Sequence, residues 1–99
     1  MKIVAVTACP TGIAHTYMAA ASLEKTAKEL GHEIKVETQG ALGIENPLSE
    51  NDVRQAQVAI LAVDIEIEGR ERFKGARIIE VPLQEAIRNT KAIFDKIQG

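Results

Sequence analysis

The 99-residue chain holds one cysteine, Cys9, in the segment Cys9-Pro10-Thr11-Gly12-Ile13-Ala14-His15-Thr16. Residues 2–8 are a short apolar run rich in β-branched types, and helical spacing begins at about Ala14. A strand-to-helix turn of this kind aims several backbone N–H groups at one spot, beside the positive end of the helix dipole. Gly12 lets the backbone turn tightly or come close to a ligand. The product is an anion cradle suited to phosphate, with Cys9 at its mouth. The donors that hold a phosphate also stabilise a thiolate, so the arrangement suits attack of sulfur on phosphorus. Pro10 has no N–H and contributes only shape, whereas Thr11 and Thr16 offer hydroxyls to phosphate oxygens.

Each residue also has a plainer reading. A lone cysteine at a strand end is most often a small core residue, and it is the Pro-Thr-Gly turn and the helix start that favour function here. His15 is either a catalytic group or a polar residue of the first helical turn. Asp64, at the end of a later strand, either joins the rim or caps a turn. Tyr17 and Met18 read as packing residues, and His32 as a solvated residue at a strand start. Arg70 and Arg72 read as a solvated face, though they lie on the rim that carries Cys9.

The spacing Cys-x5-His is close to Cys-x5-Arg, the pattern of phosphotyrosine phosphatases, in which a bidentate Arg grips the phosphoryl oxygens. His15 occupies the Arg position. A phosphatase also needs an acid for the leaving group and a base for water. No Asp-Pro acid loop is present, and Asp64 is the one carboxylate placed near the rim. A phosphoryl carrier has the opposite need, since its phosphocysteine must survive until the acceptor arrives. Loss of the Arg and the acid therefore fits a carrier, in which transfer is mostly positioning and charge stabilisation. Two rivals stay open: a small cysteine-dependent phosphatase or arsenate reductase-like enzyme, and a regulatory module with an inert Cys9. No Walker-type loop, Mg²⁺-spaced carboxylates or zinc set is visible, so neither a metal nor another cofactor is expected.

Composition narrows the class. Hydrophobic residues make up 45% and charged residues 26%, as in an ordinary globular chain, and the length suits a single domain, residues 1–99. With three aromatic residues, the core must be built from Ile, Val, Leu and Ala. A net charge of -2 without a basic segment makes nucleic acid an unsuitable partner. One thiol forms no internal disulfide. The N-terminal apolar run is at the lower limit for a signal core and reads as a buried strand, and no later run approaches a membrane span, so a cytoplasmic location is expected.

The elements that must position Cys9 follow from periodicity. Residues 2–8 form a strand buried on both faces. From Ala14 to Leu30 a helix places Tyr17, Ala20, Leu23, Ala27 and Leu30 on one face, with Gly31 as its stop. His32 to Thr38 alternates, with Glu33, Lys35 and Glu37 outward, which suits an edge strand. Gly40 to Leu48 reads as a loop, and Ser49 with Asp52 as a capping box opening a helix to about Gln55. Gln57 to Val63 is a buried strand, 64–75 a charged loop with one or two helical turns, and Ala76 to Val81 a fourth strand ended by Pro82. One amphipathic helix follows, marked by Leu83, Ala86, Ile87, Thr90, Phe94 and Ile97. The fold class is α/β: a three-layer αβα domain with a four-stranded parallel sheet in the order 2-1-3-4 and a phosphatase-like anion loop after strand 1. The chain reverses direction between the first and third strands, where such sheets bind ligands beyond the strand ends. Cys9 to His15 and Asp64 stand there, and Gln39 to Gly43 reach the same rim.

Ala8 to Thr16, followed by Tyr17-Met18-Ala19-Ala20, resembles the active-site segment of fructose-type IIB domains of the bacterial sugar phosphotransferase system, which more often carry Phe where Tyr17 stands. Val36 to Gly40 with Gly43 and Asn46, Asp64, Arg72-Phe73 and Gly75 resemble the same family, over nearly the whole chain. The resemblance implies that Cys9 accepts a phosphoryl group from a phosphohistidine of a IIA protein or domain. It then passes to fructose, or a fructose-like sugar, held by the membrane IIC component, with the IIB domain docking at the inner face of the membrane. In this picture the backbone from about Thr11 to His15 holds the phosphoryl oxygens, His15 bonds to the phosphoryl group or keeps the thiolate charged, and the isolated domain is monomeric.

Overall fold

The computed structural model describes residues 1–10 and 13–98, apart from the side chains of Ile13 and Gln98. Ten elements follow in order: β1 (Lys2–Ala8), α1 (Ile13–Glu29), β2 (Glu33–Gly40), β3 (Gly43–Glu45), α2 (Glu50–Gln55), β4 (Val58–Val63), a 3₁₀ turn (Arg70–Phe73), β5 (Ile78–Val81), α3 (Leu83–Arg88) and α4 (Thr90–Gln98).

The sheet has five strands in the order β3-β2-β1-β4-β5. β1 pairs in parallel with β2 and β4, and β4 with β5, so the four parallel strands keep the expected relative order. The expectation of a four-stranded sheet is corrected by β3, which returns antiparallel along β2 and pairs Thr38 with Glu45 and Gly40 with Gly43. Three exposed residues leave no alternating pattern to read, so this strand had the appearance of a loop. Gly43, at φ 91, supplies the left-handed conformation that closes the hairpin.

Alternation along the strands divides the core into two layers. On one face Ile3, Ala5, Val36, Ile60 and Ala62 pack against α1, α3 and α4, together with Cys9. On the other, Val4, Val6, Ala8 and Leu61 meet Val53 of α2, Leu48, Ile67 and Phe73. The buried face of α1 carries Thr16, Ala19, Ala20, Leu23 and Ala27, mostly small residues that let the helix lie close to the sheet. Tyr17 and Leu30, expected on that face, are exposed. α1 ends in a Schellman motif: the His32 amide donates to Ala27 O at 2.8 Å and the Gly31 amide to Lys28 O at 3.1 Å, with Gly31 at φ 79.

The capping box forms as expected, with Asp52 N donating to Ser49 Oγ at 3.0 Å and Ser49 N to Asp52 Oδ2 at 2.9 Å. These bonds and Lys35 at 3.0 Å hold the Asp52 carboxyl down at about 2. The final helix is two helices, α3 and α4, broken at Asn89 (φ -126, ψ 42). The Thr90 hydroxyl there donates to Ala86 O at 2.7 Å, which closes the end of α3. His32 is not a solvated residue: its ring stacks on Phe94 at 6.1 Å between centroids, and both of its ring nitrogens are buried. Among the described residues no helix is long and apolar enough to cross a membrane.

Candidate functional site

β1 is the central parallel strand, and its last residue, Ala8, stands between Gln39 of β2 and Val63 of β4. Cys9 therefore leaves the sheet at the point where β2 and β4 diverge to either side of β1, the switch point at which such sheets bind ligands. Its parity matches Ile3, Ala5 and Thr7, so it faces the α1 layer, and it is 5% exposed. The start of α1 is held down by Thr7, whose buried hydroxyl donates to Thr16 O at 3.1 Å. On the other side the Asp64 amide donates to Ala8 O at 3.1 Å, which extends the β1–β4 ladder one step beyond the strands.

Two cavities flank Cys9. The larger, about 480 Å³, lies between α1 and α3 and is lined by Cys9, His15, Met18, Asp64, Ile87 and Arg88, among others. The smaller, about 270 Å³, lies between the β2–β3 hairpin and the segment after β4, with Cys9, Pro10, Gln39, Ile44, Ile65 and Glu66 in its walls. The sequence-predicted residues thus gather as follows. His15, exposed on the first turn of α1, and Asp64 share the larger cavity with Cys9. Pro10 shares the smaller one. Ala14 is exposed in the same first turn, and Ile13 opens the helix. Thr16 is 2% exposed, and a Cβ on Gly40 would lie 3.3 Å from its Oγ1. Thr11 and Gly12, the centre of the expected anion cradle, lie outside the described residues.

Asp64 has a second task. Its Oδ1 accepts the Leu83 amide at 3.1 Å, which satisfies an N-terminal N–H of α3. Tyr17 and Met18, read as packing residues, are 39% and 50% exposed. The Tyr17 hydroxyl donates to the Glu45 carboxylate and so ties α1 to β3.

The basic pair on the rim is committed elsewhere. Arg70 pairs with Glu80 across an exposed surface. Arg72, expected to be solvated, is largely buried: it forks onto Glu37, Nη1 to Oε1 at 2.7 Å and Nη2 to Oε2 at 3.0 Å. It also donates to the carbonyls of Leu48 at 2.6 Å, Gly69 at 2.7 Å and Glu68 at 3.1 Å. Neither arginine lines the cavities beside Cys9.

Glu37 is the residue that sequence reasoning missed. Alternation places it on the outer face of β2, yet it is fully buried. Leu48, the 3₁₀ turn and the segment after β4 cover that half of the strand, while Glu33 and Lys35 nearer its start remain exposed. Burial pushes the Glu37 carboxyl up, but hydrogen bonds from Arg72, Gln39 and the Leu48 amide, with the charge of Arg72, outweigh it and hold it below the ordinary 4.5. Its partner Arg72 is held above its ordinary value, chiefly by the same hydrogen bond. No sequence signal pairs residues 35 positions apart; the polar end of the strand, Glu37-Thr38-Gln39, is the only hint.

A mostly parallel sheet of this order, with one cysteine at its switch point, defines a class that comparison with known proteins names. Residues 4–96 match the family model described as "PTS system, Lactose/Cellobiose specific IIB subunit". The chain is 53% identical over 98 residues to the "PTS system fructose-like EIIB component 2" of Escherichia coli K12, spanning 99% of this chain and 92% of that protein. It is 52% identical over 95 residues to the "PTS system fructose-specific EIIABC component" of Bacillus subtilis, 96% of this chain and 15% of that much longer protein. The crystal structure of a domain of a fructose-specific IIABC component from Borrelia burgdorferi superposes with a TM-score of 0.92 at 53% identity, covering 96% of this chain and 90% of that one. The chain belongs to the IIB family of the sugar phosphotransferase system, as a fructose-type IIB domain. IIB components of this system are phosphotransferases.

Proposed function

We propose that Cys9 carries the phosphoryl group between two partners, a IIA phosphohistidine and a fructose or fructose-like sugar held by a membrane IIC component. In the first step the Cys9 thiolate attacks phosphorus, the S–P bond forms and the N–P bond of the donor breaks; the donor imidazole, protonated on its other ring nitrogen, takes the bonding pair and leaves neutral. In the second a sugar hydroxyl attacks, the O–P bond forms, the S–P bond breaks and the thiolate is restored as the hydroxyl proton leaves. Backbone N–H groups from about Thr11 to His15, at the positive end of α1, hold the phosphoryl oxygens in both steps, with Pro10 shaping the loop and Thr16 offering its hydroxyl. His15 acts across the larger cavity on the same group. The domain works in the cytoplasm, as a monomer when isolated, and docks at the inner face of the membrane.

The observation that carries this reading is the position of Cys9: the chain's one cysteine, just past the end of the central strand, in the walls of two cavities. His15 in the place where a phosphatase keeps its Arg favours a carrier over a hydrolase. Arg70 and Arg72 are held by carboxylates and line neither cavity, Asp64 is bonded to the start of α3, and Arg88 is the arginine in the wall of the larger cavity. The relatives named EIIABC and EIIBC support partners of the IIA and IIC kinds.

The test is mass spectrometry after incubation with phosphoenolpyruvate, the general phosphotransferase proteins and a fructose-type IIA. One phosphoryl adduct on Cys9 is expected, and none on Cys9→Ser. Transfer through Cys9→Ser at the wild-type rate would overturn the assignment, and hydrolysis of an aryl phosphate that depends on Cys9 would favour a phosphatase.

A further inference from the structure

The larger cavity beside Cys9 runs between two helices, and helical spacing brings polar groups to it from both. His15 and Met18, three apart, line it from α1, and Gln84 and Arg88, four apart, line it from α3. Asp64 is the one carboxylate in its described wall, and one of its oxygens is taken by the Leu83 amide. Arg88 is exposed, and among the described residues its guanidinium makes neither an ion pair nor a hydrogen bond. Arg70 and Arg72 are spent on Glu80 and Glu37, and Arg77 on carbonyls near the end of α4. An uncommitted guanidinium therefore stands in a wall that Cys9 shares. The smaller cavity has the opposite character: its described wall holds Glu66 and Glu68 and no Lys, Arg or His. Cys9 itself packs in the core layer of α1 and α3, with Ala20, Leu83 and Ala86.

A phosphoryl group on a side chain brings about two negative charges near neutral pH, where a thiolate brings one. Of the two walls, the one with a free guanidinium favours that dianion and the one with two carboxylates opposes it. We propose that Arg88 binds the phosphoryl group on Cys9 from the larger cavity and so stabilises the phosphorylated state of the domain. This rests on the reading of Cys9 as the phosphoryl carrier. The charge argument concerns the group on the sulfur, so it is the same whichever partner delivers that group or takes it away. The planar fork of an arginine matches two phosphoryl oxygens. Because Arg88 is exposed, its hold is modest, as a carrier that must release the group requires.

The experiment is the equilibrium of phosphoryl exchange between a fructose-type IIA and the domain, read by intact-mass spectrometry at concentrations where the two proteins are dissociated. That equilibrium depends only on the separated species, so a residue that merely helps a partner dock cannot move it. In Arg88→Gln it shifts about fivefold towards phosphorylated IIA, the upper end of what an exposed ion pair gives, and the shift shrinks at high salt. Arg88→Lys, which keeps the cation and loses the fork, lies between Arg88→Gln and wild type. Arg54→Gln makes the same change of charge on α2, in the opposite layer, and leaves the equilibrium at its wild-type value. An unchanged equilibrium in Arg88→Gln overturns the proposal, even where the rate of exchange falls. So does an equal shift in Arg54→Gln, or an Arg88→Lys no better than Arg88→Gln. A wild-type domain that takes no phosphoryl group on Cys9 refutes the underlying reading instead, and is told apart because no exchange is then seen in any variant.

Discussion

Replacing Arg72 by Met removes the cation from beneath a carboxylate that has no access to water. Glu37 is fully buried, Arg72 is 15% exposed, and two of the four hydrogen bonds reaching the carboxylate come from Arg72. The Leu48 and Glu68 carbonyls lose a donor at the same time. Stripping one partner from a buried pair costs about 3–5 kcal/mol, because the other charge stays behind uncompensated. A domain of this length has roughly 5–15 kcal/mol in all, so Arg72→Met sits close to the edge of folding. In thermal terms, each kcal/mol is roughly 4–8 °C for a chain of this size, so the midpoint drops by about 12 °C or more. The assay is urea or thermal denaturation of the four members of a double-mutant cycle with Glu37→Gln. Adding Glu37→Gln to Arg72→Met should restore about 1 kcal/mol or more, since a neutral amide still accepts the Leu48 amide and no bare charge is left inside. The deficit of Arg72→Met should also shrink in acid, where the stranded carboxyl protonates. A loss below about 1 kcal/mol, the size of an exposed ion pair, would refute the reasoning, as would strictly additive single mutants.

Acid should weaken the wild-type protein through the same residue. The folded carboxyl of Glu37 ionises below its ordinary 4.5, so the unfolded chain binds the proton first; stability is complete above pH 4.5 and falls as pH drops towards the folded value. A pH series of denaturation midpoints checks this, and Glu37→Gln should flatten the acid limb. Gly40→Ala places a Cβ 3.3 Å from the hydroxyl of buried Thr16 and should cost about 1–3 kcal/mol by overpacking, whereas an unchanged melting point would mean that the start of α1 yields freely. Asp64→Ala leaves the Leu83 amide without its acceptor and should cost about 1 kcal/mol, read as a small drop in urea midpoint; a neutral result would remove Asp64 from the anchoring of α3.

Much of the fold was legible because its signals are local. The β-branched run before Cys9, the continuous apolar run of β4 and the Gly31 stop each reflect a burial or dihedral demand met within a few residues. So does the Ser49–Asp52 box. Once those elements alternate, right-handed crossovers leave few arrangements, and the meeting of Cys9 with Asp64 at the switch point follows from strand order alone. The break at Asn89 was hidden because both halves of the final segment keep a helical apolar stripe, with Leu83 and Ala86 in α3 and Ile93, Phe94 and Ile97 in α4 all buried. Periodicity reports which face is buried and is blind to one residue leaving helical dihedrals.

What stayed hidden about the site has a different cause. Alternation assigns a side chain to a face of the sheet, but whether that face is wet depends on what the rest of the chain lays over it. On β2 the outer face is wet at Glu33 and Lys35 and dry at Glu37 and Gln39, because Leu48 and the 3₁₀ turn cover only the far half. A carboxylate in that dry half is tolerable only with a cation and donors brought from 35 residues away. The same requirement explains why Arg72 was misread. An arginine followed by an aromatic in a charged stretch looks solvated until its partner is known, and here its guanidinium lies 5.3 Å from the ring centre of Phe73 while its fork is spent on Glu37. The two misreadings are one interaction seen from both ends. It is also what joins the end of β2, which helps form the rim around Cys9, to the irregular segment that completes that rim.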